Sequence, residues 1–370
     1  MKFSTSAKDL LDALTTASRV ASTRRAIQAL GGVQITATKK EGVRIRATDM
    51  DIGLSLPLDA AVATDGTVVL PARLLLDVAK SMSGMDASLE LRPVEQDVEV
   101  LSGSASFHIR TLRAEDFPPL PEPAADNAVN VPATAFVDTI NRVARAASRD
   151  ETRPVLTGVY VWATKSTLLM VATDSYRLSL KDTVLETPLV GELGAVIPAH
   201  ALQELARIVA HAGELATLRV SRRANQIVFE AGDVVLSSRL IDGQFPNYKQ
   251  LLPDSFEHEL TLATGEFTDV VRRISLMAQK NAPLRLSFTD GRVTVSARTP
   301  DVGKASQSVD ISFAGTPLDV GFNPDFLRDG LELADEDLVL RLISPLRPGM
   351  LESASGGGYR YLIMPIRLDV

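Results

Sequence analysis

Three times along the chain a short alternation of apolar and polar residues gives way to a helical period. Lys2-Phe-Ser-Thr5 reads as a strand. From Ser6, a residue suited to capping a helix, Leu10, Leu11, Leu14, Ala17 and Val20 then fall on one face. Val129-Asn-Val131 leads through Pro132 into a stripe of Phe136, Val137, Ile140, Val143 and Ala147. Glu259-Leu-Thr-Leu262 leads in the same way into Phe267, Val270, Val271, Ile274 and Met277.

A second pattern follows each opening. Val68-Val-Leu-Pro-Ala-Arg-Leu-Leu-Leu-Asp-Val-Ala79, Ala195-Val-Ile-Pro-Ala-His-Ala-Leu-Gln-Glu-Leu-Ala206 and Asp319-Val-Gly-Phe-Asn-Pro-Asp-Phe-Leu327 are apolar strands that stop at a proline. The fixed φ and missing N–H of Pro71, Pro198 and Pro324 suit the first turn of a helix. Between the two patterns lies a repeated segment, Val43-Arg-Ile-Arg-Ala-Thr-Asp-Met-Asp-Ile-Gly-Leu-Ser-Leu56, then Leu168-Leu-Met-Val-Ala-Thr-Asp-Ser-Tyr-Arg-Leu-Ser-Leu180, then Val293-Thr-Val-Ser-Ala-Arg-Thr-Pro300. Aligning Ala47, Ala172 and Ala297 gives equal steps, 172 − 47 = 125 and 297 − 172 = 125. Equal steps of domain size predict three α+β repeats, each a sheet backed by two helices.

Phe117-Pro118 closes the first repeat and Phe245-Pro246 the second. The Pro-rich run from Pro118 to Asn127 reads as a linker, and a second boundary is expected near Leu252-Pro-Asp-Ser255. The predicted domains are therefore 1–122, 127–253 and 254–370.

Charge adds a constraint. The 370 residues carry 39 Lys and Arg against 46 Asp and Glu, a net charge of −7, which argues against a protein that coats itself in nucleic acid. A basic face inside an acidic whole remains open. Arg142, Arg145 and Arg149 are spaced to share one side of the second repeat's first helix. Lys8 and Arg19 lie on the equivalent helix of the first repeat, and Arg272, Arg273 and Lys280 on that of the third. The second helices add Arg73 and Lys80, then His200, Arg207 and His211. Such faces would meet phosphates without reading sequence, and binding would weaken with salt. With no cysteine, disulfides and thiolate metal sites are excluded. No apolar run is of membrane-spanning length, the first ten residues lack a signal-peptide core, and a cytoplasmic location is expected.

Catalytic patterns are thin. His108, His200, His211 and His258 have no ligand spacing, so neither a metal nor a cofactor is expected. Asp49-Met-Asp51 reads as turn residues, and Ser355-Gly-Gly-Gly-Tyr359 as a mobile hairpin tip instead of a phosphate loop. Ser175 has no neighbouring base in the sequence to activate it. Two alternatives stay open at this point. One is a hydrolase using Asp49, Asp51, Asp174 or Ser175, and the other is a monomeric repeat protein that binds peptides.

Over its whole length the chain resembles the bacterial sliding clamps, the beta subunits of DNA polymerase III. The residues that carry the resemblance are Lys2-Phe3, Leu70-Pro-Ala-Arg73, Ala172-Thr-Asp-Ser-Tyr-Arg-Leu178, Asp242-Gly-Gln-Phe-Pro-Asn-Tyr248, Gly321-Phe-Asn323 and the ending Tyr361-Leu-Ile-Met-Pro-Ile-Arg367. The resemblance implies a non-catalytic processivity factor. It would be a head-to-tail homodimer of three clamp domains per chain, helices lining a ring and sheets outside, encircling double-stranded DNA. The implied partners are the replicative DNA polymerase alpha subunit, the clamp loader and other proteins with a clamp-binding motif, and no membrane.

Carried over by position, the partner-peptide pocket would use Leu156, Thr173, Ser175, Tyr176, Arg177, Leu178, Pro246 and Leu251. Asn323, Phe326, Pro348, Leu362, Met364, Pro365 and Arg367 would complete it. The DNA-facing positions would be Arg24 and Arg73, with Arg149 and His200 in the matching elements. Two departures stand out: many clamps have Gly-His where this chain has Ser175-Tyr176, and a basic residue is common where Gln250 stands. Both predict a narrower, less positive pocket wall.

Overall fold

The Ser6 hydroxyl accepts the Asp9 amide at 3.0 Å and so caps the first helix, α1 (Ala7–Val20). Five more helices follow: α2 (Ala72–Ser81), α3 (Ala133–Val143), α4 (Ala199–His211), α5 (Thr264–Ser275) and α6 (Pro324–Glu332). The structure, a computed structural model, describes residues 1–22, 27–82, 84, 86–123, 128–186, 188–211, 215–278, 282–333 and 337–368. Arg24 and Lys280 lie outside the described residues.

The stripes bury much as their spacing predicts. In α1, Leu10, Leu14, Ala17 and Val20 are buried together with Ala7 and Ala13, whereas Leu11 is only half-buried at the edge of the stripe. Phe136, Ile140 and Val143 are buried in α3 with Val137 half-exposed, and Phe267, Val270, Val271 and Ile274 are buried in α5. Each fully buried side chain of this size contributes roughly 1.5–3 kcal/mol of transfer free energy. The prolines take two places, Pro71 and Pro198 each ending a strand just before its helix and Pro324 opening its helix behind an Asn323 cap.

The chain forms two compact units. The first comprises Met1–Ala133 and Arg207–Leu240, the second Thr134–Ala206 and Ile241–Val370. The central repeat therefore contributes to both, the larger part to the second.

All strand pairs named here are antiparallel. The first unit holds a five-stranded sheet in the order Ala61–Thr64, Lys2–Ser6, Asp86–Arg92, Asp97–Ser102, Ala105–Arg110. It also holds an eight-stranded sheet, ordered Val129–Pro132, Thr217–Arg223, Gln226–Ala231, Val234–Arg239, Ile52–Leu58, Gly42–Thr48, Gly32–Thr38, Gly66–Pro71. Helices α1 and α2 pack on each other, and α1 also packs against Gly42–Thr48 and Ile52–Leu58.

The second unit repeats the plan. Its eight-stranded sheet is ordered Leu193–Pro198, Gly158–Ala163, Thr167–Thr173, Arg177–Val184, Tyr359–Ile363, Gly349–Ser353, Asp337–Leu342, His258–Ala263. A four-stranded sheet runs Gly303–Asp310, Arg292–Thr299, Leu284–Thr289, Leu318–Phe322. Its core joins α5 and α6 to both sheets through Phe267, Phe288, Phe322, Leu327 and Tyr361.

Two expectations need correction. Arg149 does not share a helix face with Arg142 and Arg145, because α3 ends at Val143, a short 3-10 turn follows at Ala144–Ala146, and the chain then extends at Ala147. The Ser355–Tyr359 segment is a hairpin tip between Gly349–Ser353 and Tyr359–Ile363, but it is pinned. Lys181 Nζ donates to the Gly357 carbonyl at 2.9 Å and the Asp182 amide to that of Gly358 at 3.1 Å. Gly358 sits at φ +71°, and a Cβ there would lie 2.0 Å from the Asp182 carbonyl, so no other residue fits.

Candidate functional site

The repeated Ala-Thr-Asp segment makes the same turn twice. In the second unit Thr173 Oγ1 donates to the Arg177 carbonyl at 2.7 Å and accepts the Ser175 amide at 3.2 Å. Asp174 Oδ1 accepts the amides of Tyr176 and Arg177, both at 2.9 Å. In the first unit Thr48 Oγ1 donates to the Ile52 carbonyl at 2.7 Å and accepts the Met50 amide at 3.0 Å, while Asp49 Oδ1 accepts from Asp51 and Ile52 at 2.9 and 2.7 Å. Met50 and Ser175 both take positive φ, 82° and 80°. The two aspartates thus serve as turn acceptors, which removes the ground for reading them as a catalytic or cation-binding set. Among the described residues, no group of three His, Cys, Asp or Glu side chains is placed to hold a metal ion.

What the turn carries differs between the copies. In the first unit the paired residues beside it are Gly53 and Ser237, and a Cβ on Gly53 would lie 2.9 Å from the Leu120 side chain. Leu120, from the Pro-rich segment, fills that space. In the second unit the same two positions are Leu178 and Leu362, paired across Arg177–Val184 and Tyr359–Ile363. They belong to an apolar cluster with Val171, Leu180, Tyr248 and Met350, against which Tyr160, Leu169, Phe245, Leu252 and Phe256 pack. Tyr160 stacks on Phe245 with centroids 5.6 Å apart. The segment from Phe245 to Phe256 therefore packs over this sheet face and leaves Leu178 and Leu362 nearly buried at the bottom of an opening.

The opening is a trough of about 660 Å³. Its floor and near end are Thr173, Ser175, Arg177, Leu178, Leu362 and Met364; one wall is Gln250 to Glu257, and the other is Ile343 with Leu346, Arg347 and Pro348. Leu251, Leu346 and Met364 are exposed large apolar side chains around it, with Tyr176 exposed at the adjoining turn. Such surface on a folded chain marks a binding site more often than chance.

Eight of the residues carried over as the pocket meet at this trough, Thr173, Ser175, Arg177, Leu178, Leu251, Pro348, Leu362 and Met364, and Gln250 joins them. The others have different places. Leu156 is buried in the short 3-10 turn Pro154–Thr157. Tyr176 stands 62% exposed, its carbonyl accepting the Met364 amide at 2.9 Å. Pro246 is exposed, and its carbonyl accepts the Tyr248 amide at 2.8 Å. Asn323 caps α6 by accepting from Asp325 and Phe326. Phe326 lies under the Arg177 guanidinium, 4.5 Å from ring centroid to Cζ. Pro365 and Arg367 belong to the tail, which bridges through the Ile366 amide to the Gly321 carbonyl at 2.7 Å.

Arg177 is held on every side. It donates to Asp174 Oδ2 at 3.1 Å, Asp329 Oδ2 at 2.6 Å, Tyr361 Oη at 3.3 Å and the Arg145 carbonyl at 2.6 Å. Burial works against its charge, but Tyr361, Asp329 and Asp174 outweigh it and raise its pKa. Burial likewise pushes the Tyr361 hydroxyl up, keeping it a neutral donor to the Phe326 carbonyl at 2.9 Å. The guanidinium locks the turn to α6 and the closing strand, so its role at the trough is positional.

Leu252, Asp254, Phe256, Glu257, Ile343, Leu346 and Arg347 were not singled out from the sequence, yet they form the walls. The available signal was Leu252-Pro-Asp-Ser255, read above as a boundary; a connecting loop lying over an apolar sheet face is also a wall.

Of the DNA-facing candidates, Arg73 is exposed on α2, Arg149 is exposed beyond the end of α3, and His200 is exposed at the start of α4. Arg142 and Arg145 point elsewhere. Arg142 pairs with Asp138 at 3.0 Å and donates to the Leu333 carbonyl, and Arg145 pairs with Glu332 at 3.2 Å.

Comparison with known proteins agrees across the chain. Models of the DNA polymerase III beta subunit match in succession: the N-terminal domain over residues 1–121, the central domain over 130–247 and the C-terminal domain over 249–367. The beta sliding clamp of Streptomyces coelicolor is 30% identical over 97% of each chain. The crystal structure of the Bacillus subtilis DNA polymerase sliding clamp has a TM-score of 0.88 at 27% identity, covering all of both chains. The C. crescentus beta sliding clamp, solved with polyethylene glycol bound, has a TM-score of 0.88 at 28% identity, covering 100% of this chain and 99% of that one.

Proposed function

Because the chain belongs to the bacterial DNA polymerase III beta-subunit family, the DNA sliding clamps, we propose that two copies close head to tail around duplex DNA and tether partners through the trough. The domains in this reading are 1–122, 127–253 and 254–370. The replicative polymerase alpha subunit, the clamp loader and other peptide-bearing proteins share one site, so they bind in exchange and not together. The clamp is non-catalytic and works in the cytoplasm; among the described residues no helix is long and apolar enough to cross a membrane.

The observation that carries the tethering role is the contrast between the repeated turns. Where the first unit has Gly53 and Ser237 filled over by Leu120, the second has Leu178 and Leu362 facing an open trough. An apolar floor with a few polar groups suits a short peptide carrying Leu or Phe anchors. Ser175, Met364, Leu251 and Pro348 frame it.

Ring closure has a physical route in the sheet edges. In the four-stranded sheet the Leu318–Phe322 edge is bridged at Gly321 by Ile366, which leaves Gly303–Asp310 as the open edge. In the five-stranded sheet the edge Ala61–Thr64 is only four residues long, and Ala105–Arg110 is the longer one. Pairing Ala105–Arg110 of one protomer with Gly303–Asp310 of the next satisfies both edges. The contact is heterologous, so two such contacts closing on themselves give a ring. Arg73, Arg149 and His200 face the DNA weakly and without sequence preference, as sliding requires.

Light scattering on the eluting protein tests closure. The expected mass is twice 39.8 kDa at micromolar concentration, and a mass that stays at 39.8 kDa would favour a monomeric peptide-binding repeat protein.

A further inference from the structure

The trough has charges on its walls as well as an apolar floor, and they are not balanced. Asp254 and Glu257 stand on one wall, both exposed, and among the described residues neither is engaged by a cation. The lining segment from Ile343 to Pro348 offers one cation, Arg347.

Three other nearby cations are committed elsewhere, while Lys249 and Arg367 are exposed but do not line the trough. Arg177 lines the trough but spends its guanidinium on Asp174, Asp329 and the Arg145 carbonyl. Arg341 is held between Glu259 and Glu352 and lies 5.6 Å over the Phe256 ring. Arg153 is taken by Asp150 at 3.1 Å and by the Ser175 hydroxyl at 3.0 Å. Gln250, on the same wall as the two carboxylates, is neutral.

We propose that the trough prefers peptides that set a lysine or arginine beside the apolar anchors, on the side of the Asp254–Glu257 wall, over peptides with an acidic residue there. The proposal rests on the reading of the trough as a partner-peptide site and specifies which peptides it takes. Two carboxylates without partners raise the local density of cationic ligands and repel anionic ones. The chain's net charge of −7 acts in the same direction at longer range. Because both carboxylates are exposed, each accounts for only a few-fold in affinity, and the preference fades with salt.

The test uses the full chain and three synthetic peptides identical but for one residue beside shared Leu and Phe anchors: lysine, glutamine or glutamate. Binding is followed by fluorescence anisotropy in about 50 mM and about 500 mM salt, where the screening length falls severalfold. The expected order is lysine, then glutamine, then glutamate, with about tenfold between the extremes at low salt. In the double variant Asp254→Asn with Glu257→Gln, that gap should shrink to within about twofold while the glutamine peptide keeps its affinity. Equal binding of the lysine and glutamate peptides, or tighter binding of the glutamate one, overturns the preference while leaving the site intact. If the glutamine peptide fails to bind at all, the peptide-site reading falls, and the preference with it.

Discussion

The Met364 amide donates to the Tyr176 carbonyl at 2.9 Å, and at the corresponding turn of the first unit the Arg239 amide donates to the Asp51 carbonyl at 2.8 Å. The backbone device is the same, but the side chains have parted company. Asp51 and Arg239 face each other at 3.8 Å as an exposed ion pair, whereas Tyr176 and Met364 present apolar surface beside an open trough. In the function proposed above, one copy of the repeat serves the fold and the other meets a partner.

That division predicts different costs for two neighbouring truncations. Met364 is 42% exposed, so Met364→Ala should leave the melting temperature nearly unchanged while weakening partner-peptide binding about tenfold or more. Leu178 is 1% exposed and part of the cluster beneath, so Leu178→Ala should also lower stability by about 2–4 kcal/mol. Calorimetry beside a peptide titration separates them. Loss of the dimer in the Met364 variant would show that this side chain is structural.

Much of this was legible in the sequence. The three openings, the strand-to-proline signatures and the 125-residue step are periodic, and periodicity survives divergence because buried faces must stay apolar. Thr173, Ser175, Leu178, Leu362 and Met364, carried over through the sliding-clamp resemblance on repeated or terminal motifs, do line the trough. Asp254, Glu257 and Arg347 were not found, because a wall made by a loop has no period. Asn323 was placed in the pocket from its motif, and in the structure its Oδ1 caps α6 and it does not line the trough. Spacing also predicted a shared face for Arg149, and the end of α3 at Val143 removed it.

Ser175 holds φ +80°, a conformation that costs a residue with a Cβ roughly 1 kcal/mol more than glycine. Ser175→Gly should therefore raise the melting temperature modestly, since the hydrogen bond it forfeits, from Arg153 Nη1 at 3.0 Å, is exposed. A drop in stability on thermal unfolding would mean that the Arg153 contact outweighs the backbone strain.

Glu332 should sharpen the acid sensitivity of the second unit. Hydrogen bonding from Arg272, at 2.9 Å, and then from Arg145, at 3.2 Å, lowers its pKa in the fold, against the opposing effect of partial burial. A depressed folded value means that its stabilisation is complete above the unfolded glutamate pKa of about 4.3 and is lost as pH falls from there through the folded value. Melting temperature followed from pH about 6 to about 3 should fall less steeply in Glu332→Gln than in the parent. Parallel curves would remove Glu332 as a contributor.

Retention on DNA of different topology tests the central claim most directly. The protein is loaded onto nicked circular duplex with a clamp loader and ATP, freed of unbound protein, and followed before and after one restriction cut. A ring that encircles without gripping should stay on the circle and run off the linear product. Equal retention on both forms, or equal loss from both, would contradict the account.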